Sequence, residues 1–173
     1  MSDGSAEGAP GPSIAVLDYG IGNLRSAEKA LQHVGGDAFL PADPERIAAA
    51  DGVVLPGVGA FGRCREALRD AGLDGPTLDA IASGRPFLGI CVGMQLLYDG
   101  SEESPGVAGL GVLPGVVRRL SAGGKHPQMQ WNQLDPVTES PLLDGLGERP
   151  WMYFVHSFAA EVTEDVIATC DYG

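Results

Sequence analysis

From Ser13 to Asp99 the chain alternates between continuous apolar runs and apolar residues at helical spacing. Ser13-Ile14-Ala15-Val16-Leu17-Asp18-Tyr19 reads as a buried strand that runs into Gly20-Ile21-Gly22-Asn23-Leu24. Leu24, Ala27, Leu31 and Val34 then recur on one helical face, with Gly35-Gly36 as the stop. Ala38-Phe39-Leu40 predicts a short second strand ended by Pro41, and residues 44–50 a helical turn or two. Gly52-Val53-Val54-Leu55-Pro56 is a third apolar run, closed by Gly57-Val58-Gly59-Ala60-Phe61-Gly62. The next helix carries Cys64, Leu68 and Ala71 on one face, Leu78-Asp79-Ala80-Ile81-Ala82 is helical as well, and Gly84 precedes a fourth strand.

This order predicts an α/β fold, with a mostly parallel central sheet, helices on both faces and ligands at the carboxyl ends of the strands. Beyond Asp99 the pattern changes. Leu110-Gly111-Val112-Leu113, residues 116–120, 151–158 and Val166-Ile167-Ala168-Thr169-Cys170 read as strands with no long helix between them. That predicts an antiparallel extension in the C-terminal half.

The 173 residues suit one domain with a sizeable core, spanning 13–173 after a Gly/Ala/Ser/Pro-rich tail at 1–12 that lacks the order of a signal peptide. A net charge of −12 argues against nucleic acid and against an anionic membrane surface as partners. No apolar stretch approaches the length needed to span a bilayer. Cys64, Cys91 and Cys170 are odd in number, widely spaced and in no metal-ligand pattern, which suits free thiols in a reducing cytoplasm.

The chemistry concentrates at Pro86-Phe87-Leu88-Gly89-Ile90-Cys91-Val92-Gly93-Met94-Gln95-Leu96-Leu97. An apolar run ends at Gly-x-Cys-x-Gly, and helix formers follow at once. This is the cysteine version of a nucleophile elbow, a strand-to-helix turn that presents the nucleophile to substrate. Gly89 and Gly93 leave room for a strained backbone and close helix–strand packing. The alternative is a buried structural cysteine between two glycines. An ordinary thiol is only roughly 3% thiolate at pH 7, so a nucleophilic cysteine needs a helix terminus, a base or a cation to help. An oxyanion pocket is also needed; Gly57-Val58-Gly59 and the N–H of Val92 are the candidate donors.

Three histidines can be considered as base. His33 ends a helix and reads as a surface residue, and His126 follows Gly123-Gly124-Lys125 in a loop. His156 ends the apolar strand Trp151-Met152-Tyr153-Phe154-Val155 and can reach a crevice; a capping or structural role is the alternative. Gly20-x-Gly22 lacks the third glycine of a dinucleotide fingerprint, so no nucleotide cofactor is expected there.

With these residues in hand, the chain resembles the glutamine amidotransferase subunits of imidazole glycerol phosphate synthase, from histidine biosynthesis. The matching segments are Leu17-Asp18-Tyr19-Gly20-x-Gly22-Asn23-Leu24, Leu55-Pro56-Gly57-Val58-Gly59-x-Phe61 and residues 88–97 around Cys91. Ser101-Glu102-Glu103 and Tyr153-Phe154-Val155-His156-Ser157 match too. The resemblance implies a class I, triad-type amidotransferase in which Cys91 attacks the side-chain amide of glutamine. A glutamyl thioester forms, ammonia leaves and water frees glutamate. It further implies that ammonia passes to a (β/α)8-barrel cyclase subunit in a heterodimer, giving imidazole glycerol phosphate and the aminoimidazole carboxamide ribotide by-product, with no cofactor and no metal.

By the same resemblance Gly57, Val58 and Gly59 line the oxyanion pocket, and Gln95, His156, Ser157 and Phe158 surround the glutamine. Asn23 and the loop carrying Gln128, Met129, Gln130, Trp131 and Asn132 face the cyclase. The family's usual residues at 128, 130 and 158 are His, Gly and Tyr, so Gln128, Gln130 and Phe158 are departures. A glycine replaced by Gln130 is costly if the backbone there needs a positive φ. The family's catalytic His and Glu belong to a Gln-Phe-His-Pro-Glu segment toward the C-terminus, which this sequence does not reach before Gly173. A C-terminally shortened domain with an open sheet edge is therefore expected. A catalytically impaired subunit that only binds the cyclase is the alternative, and a different cysteine hydrolase using His156 a third reading.

Overall fold

The computed structural model describes residues 11–41, 43–121 and 125–172. Its first half is built from β1 (Ser13–Val16), α1 (Leu24–His33), β2 (Asp37–Phe39), α2 (Pro44–Ala49), β3 (Gly52–Gly57), α3 (Phe61–Asp70), α4 (Asp74–Ala82), β4 (Phe87–Cys91) and α5 (Val92–Gln95). The four strands form one parallel sheet in the order β2-β1-β3-β4. All six residues of β3 are buried, which is why it reads as an unbroken apolar run rather than an alternation. Leu17, Leu55, Phe61, Cys64, Leu68 and Leu96 are fully buried and form the centre of the core. Local chemistry sets the boundaries. The Asp43 carboxylate accepts the Arg46 N–H at 2.9 Å and Pro44 opens α2, a capped start with proline where no donor is needed.

The chain leaves β1 for β2 on one side and returns to β3 on the other. In sheets of that order the ligand site is expected at the carboxyl ends of β1 and β3, where the strand order reverses. Among the described residues β4 is an outer strand, with Leu88 and Ile90 exposed on it.

The second half comprises β5 (Tyr98–Ser101), β6 (Leu113–Arg119), β7 (Gln128–Gln133), β8 (Asp135–Pro136), β9 (Trp151–His156), β10 (Phe158–Ala159) and β11 (Ala168–Thr169). The expected antiparallel pairing holds for β6 with β10, β7 with β9 and β8 with β11. β5 and β6, by contrast, run parallel.

Several expectations are corrected. α5 spans one turn only, after which Leu96 enters the core and the chain becomes β5. Residues 110–112 are not a strand: the N–H groups of Leu110 and Val112 bond the carbonyls of Leu96 and Leu97. The segment 151–158 divides at Ser157 into two strands of different sheets. Val34 is exposed because α1 ends at His33, and Ala71 is exposed because it caps α3. The expected tail at 1–12 lies outside the described residues up to 10. Pro12 is already tied in, its carbonyl accepting the Asp37 N–H at 2.9 Å. No helix of the described residues is long and apolar enough to cross a membrane.

Candidate active site

Cys91 ends β4 with φ 55° and ψ −118°, and it is the one non-glycine residue at positive φ among the described residues. A backbone region that favours glycine has been given to a cysteine. Such strain persists only where the surroundings over-determine it. Here those surroundings are backbone. Register places Gly57 of β3 beside Cys91. A Cβ on Gly57 would lie 2.4 Å from the Gly93 nitrogen, and one on Gly93 would lie 1.9 Å from the Leu55 carbonyl oxygen. A Cβ on Gly89 would meet the Met94 Cα at 2.6 Å. Three glycines therefore let strand β3, strand β4 and the α5 turn close on one another, and the thiol is carried outward. Cys91 is free and exposed; the reading of a buried structural cysteine fails.

The loop after β3 faces the same end of the sheet. Gly59 adopts φ 84° and Val58 is half exposed. α3 starts behind it without a side-chain cap from Ala60. Instead the Glu103 carboxylate accepts the Phe61 N–H at 2.8 Å and the Ser104 hydroxyl accepts the Gly62 N–H at 3.0 Å. Glu103 and Ser104 were not singled out individually in the sequence. A capping pair about forty residues from its helix leaves no local spacing to read. Tyr19 and Cys64 also reach this loop, and nothing in the sequence ties either of them to it.

Gln95 is buried, and its amide donates to the Phe158 carbonyl oxygen at 3.1 Å. His156 Nδ1 lies 2.9 Å from the same oxygen, so the tautomer that satisfies it carries the proton on Nδ1. Among the described residues its Nε2 is buried without a hydrogen-bond partner. Gln95, His156 and Phe158 are thus brought together, with Ser157 between the last two. His33 is exposed, as expected of a surface residue.

A class I glutamine amidotransferase family model matches residues 15–172. The chain belongs to that family. The imidazole glycerol phosphate synthase subunit HisH of Methanothermobacter thermautotrophicus is 51% identical over 161 residues, 92% of this chain and 80% of the relative. The subunits of the same name from Salinibacter ruber and Deinococcus radiodurans are 50% and 47% identical, each with 77% of its length covered. A solved glutamine amidotransferase superposes with a TM-score of 0.69 at 23% identity, covering 90% of this chain and 78% of that one. The glutamine amidotransferase fold, a parallel central sheet with helices and antiparallel sheets toward the C-terminus, is established on that footing.

In this amidotransferase the segment expected as a partner-facing loop is strand β7, paired with β9. Gln130 sits opposite Phe154 in that ladder, in extended backbone, so the feared positive φ does not arise. Met129, Trp131, Trp151, Tyr153 and Val155 are all exposed large apolar residues, and the rings of Trp131 and Tyr153 meet edge-on at 5.7 Å. Alternation puts Met129 and Trp131 on the opposite face from Gln128. Gln128 is accordingly corrected: its side chain is buried against Cys170 and is not displayed to a partner. Asn23 is exposed at the start of α1. Among the described residues no group of three His, Cys, Asp or Glu side chains could hold a metal.

Proposed function

We propose that this chain is the glutamine-hydrolysing subunit of an imidazole glycerol phosphate synthase. The observation that carries the reading is the strained, exposed Cys91 at the β4–α5 turn, in a chain about half identical to subunits of that name. Cys91 attacks the glutamine side-chain amide, forming a thioester and releasing ammonia, and water then frees glutamate. The N–H groups of residues 57–59 and of Val92 receive the developing oxyanion. Gln95, His156, Ser157 and Phe158 surround the substrate. A cyclase subunit takes up the ammonia, docking on the apolar face carrying Met129 and Trp131 and on Asn23. A reducing, cytoplasmic setting fits the three free thiols.

The test is glutamate release from glutamine, with and without the cyclase subunit and its ligand. Turnover that vanishes in Cys91→Ala is the expected result. Labelling of Cys91 by a glutamine-like electrophile without turnover would indicate an incomplete catalytic set. Binding to the cyclase with neither labelling nor turnover would leave only the scaffold.

A further inference from the structure

Two buried side chains that take no part in the thioester chemistry hold the loop after β3 from beneath. The Tyr19 hydroxyl donates to the Pro56 carbonyl oxygen at 2.5 Å. The Cys64 thiol, on α3, donates to the Val58 carbonyl oxygen at 3.2 Å. Both residues belong to the core cluster. A peptide unit is planar and trans, so fixing a carbonyl also fixes the N–H on the far side of that plane. Tyr19 thereby orients the Gly57 N–H, and Cys64 orients the Gly59 N–H. The peptide between Gly57 and Val58 is bracketed by two anchored planes.

We propose that Tyr19 and Cys64 are positioning residues that hold the N–H groups of residues 57–59 in the orientation needed to receive an oxyanion formed at Cys91. This rests on the glutaminase reading above. Glycine makes such a clamp necessary. Gly59 sits at φ 84° with open space where a side chain would be, so no side chain of its own holds that conformation. Beyond it, Glu103 and Ser104 secure residues 61 and 62, which leaves the Val58 carbonyl as the anchor in between. Both clamp groups also stay protonated, as donors must. Burial pushes the Cys64 thiol above its ordinary range, and it pushes the Tyr19 hydroxyl up further, reinforced by neighbouring Cys64 and Cys91. A thiol so held is a donor and not a second nucleophile.

The clamp acts on the transition state, so it should show in kcat rather than in KM. In the complex with the cyclase, Cys64→Ala and Tyr19→Phe are each expected to lower kcat about 10-fold, part of the roughly 10²–10³ carried by an oxyanion donor, with KM held within about 2-fold. Cys64→Ser, which keeps a donor, should recover most of the loss. Amide hydrogen exchange at residues 57–59 reads the clamp independently of turnover, and should quicken in Cys64→Ala and recover in Cys64→Ser. Wild-type kcat in folded Cys64→Ala, or a Cys64→Ser variant as slow as Cys64→Ala, overturns the proposal. Should the wild-type complex hydrolyse no glutamine, the glutaminase reading fails by itself, and unchanged exchange at 57–59 would then sink the clamp as well.

Discussion

Gly57 and Cys91 are register partners across the parallel β3–β4 pair, and the backbone of Gly93 closes over Gly57 where a side chain would stand. The elbow therefore depends on missing Cβ atoms as much as on the thiol. Gly93→Ala would drive a methyl to 1.9 Å from the Leu55 carbonyl oxygen, a backbone atom that cannot swing aside. We expect it to cost at least about 3 kcal/mol, in the range of the severest single substitutions. Gly75→Ala on α4, where the added methyl meets nothing, is the control and should cost nothing. Urea unfolding of the two variants checks the contrast.

The strain at Cys91 makes a second prediction with an unusual sign. A non-glycine residue in that backbone region costs about 1–3 kcal/mol. Cys91→Gly should abolish turnover yet raise the melting temperature by about 2–4 °C per kcal/mol recovered. Cys91→Ala should abolish turnover without that gain, because alanine keeps the Cβ. Equal melting temperatures for the two variants would mean that the turn is not strained.

The elbow was legible because a glycine-spaced cysteine after an apolar run is local information. So was the strand–helix alternation through Cys91. What escaped was long-range. Strand β7 looked like a loop because Gln128-Met129-Gln130-Trp131-Asn132-Gln133 has its apolar residues on the exposed face and its buried position filled by a glutamine, the inverse of the usual pattern. Leu96 and Leu97 read as helix, but their burial, and the pairing of the chain with β6 from Tyr98 onward, override that propensity after one turn. Cys64 was recognised as a core position, and nothing in sequence shows that its thiol meets a carbonyl six residues earlier.

Gln95 and His156 share the Phe158 carbonyl oxygen as acceptor, and this predicts non-additivity. Gln95→Leu leaves the carbonyl with the histidine, and His156→Phe leaves it with the glutamine, so each single change should cost about 1 kcal/mol. The double variant strips a part-buried acceptor of both donors and should exceed the sum by about 1 kcal/mol. A double-mutant cycle by denaturant unfolding measures the excess, and strict additivity would refute the shared junction.

Ser13 and Asp51 tie the start of β1 to the start of β3. The Ser13 N–H and hydroxyl both donate to the Asp51 carboxylate at 2.8 Å, and the Asp51 N–H donates back to the Ser13 hydroxyl at 3.1 Å. The backbone and side-chain bonds from Ser13 hold the Asp51 carboxyl below its ordinary range. A depressed folded pKa gives stability that is present above the unfolded value of about 3.9 and is lost as pH falls through the folded value. Asp51→Asn should therefore unfold with a shallower acid dependence below about pH 4 and an unchanged one between about pH 6 and 8. An identical acid limb in variant and wild type would show that the link does not titrate.

Trp131 is 63% exposed beside the half-exposed Tyr153, and a tryptophan left in water contributes little to the fold it sits on. If the cyclase docks there, burial of that ring becomes part of the affinity, as large aromatic residues at the centre of interfaces usually are. Trp131→Ala is then expected to leave the melting temperature of the isolated chain nearly unchanged while weakening cyclase binding by about 2 kcal/mol, roughly 30-fold in Kd. Gln128→Ala should do the reverse. Its side chain is 1% exposed against Cys170, so its loss acts on the fold before it acts on any partner. Titration calorimetry and thermal unfolding of the two variants separate the faces of β7, and a Trp131→Ala chain that binds the cyclase with undiminished affinity would remove this strand from the interface.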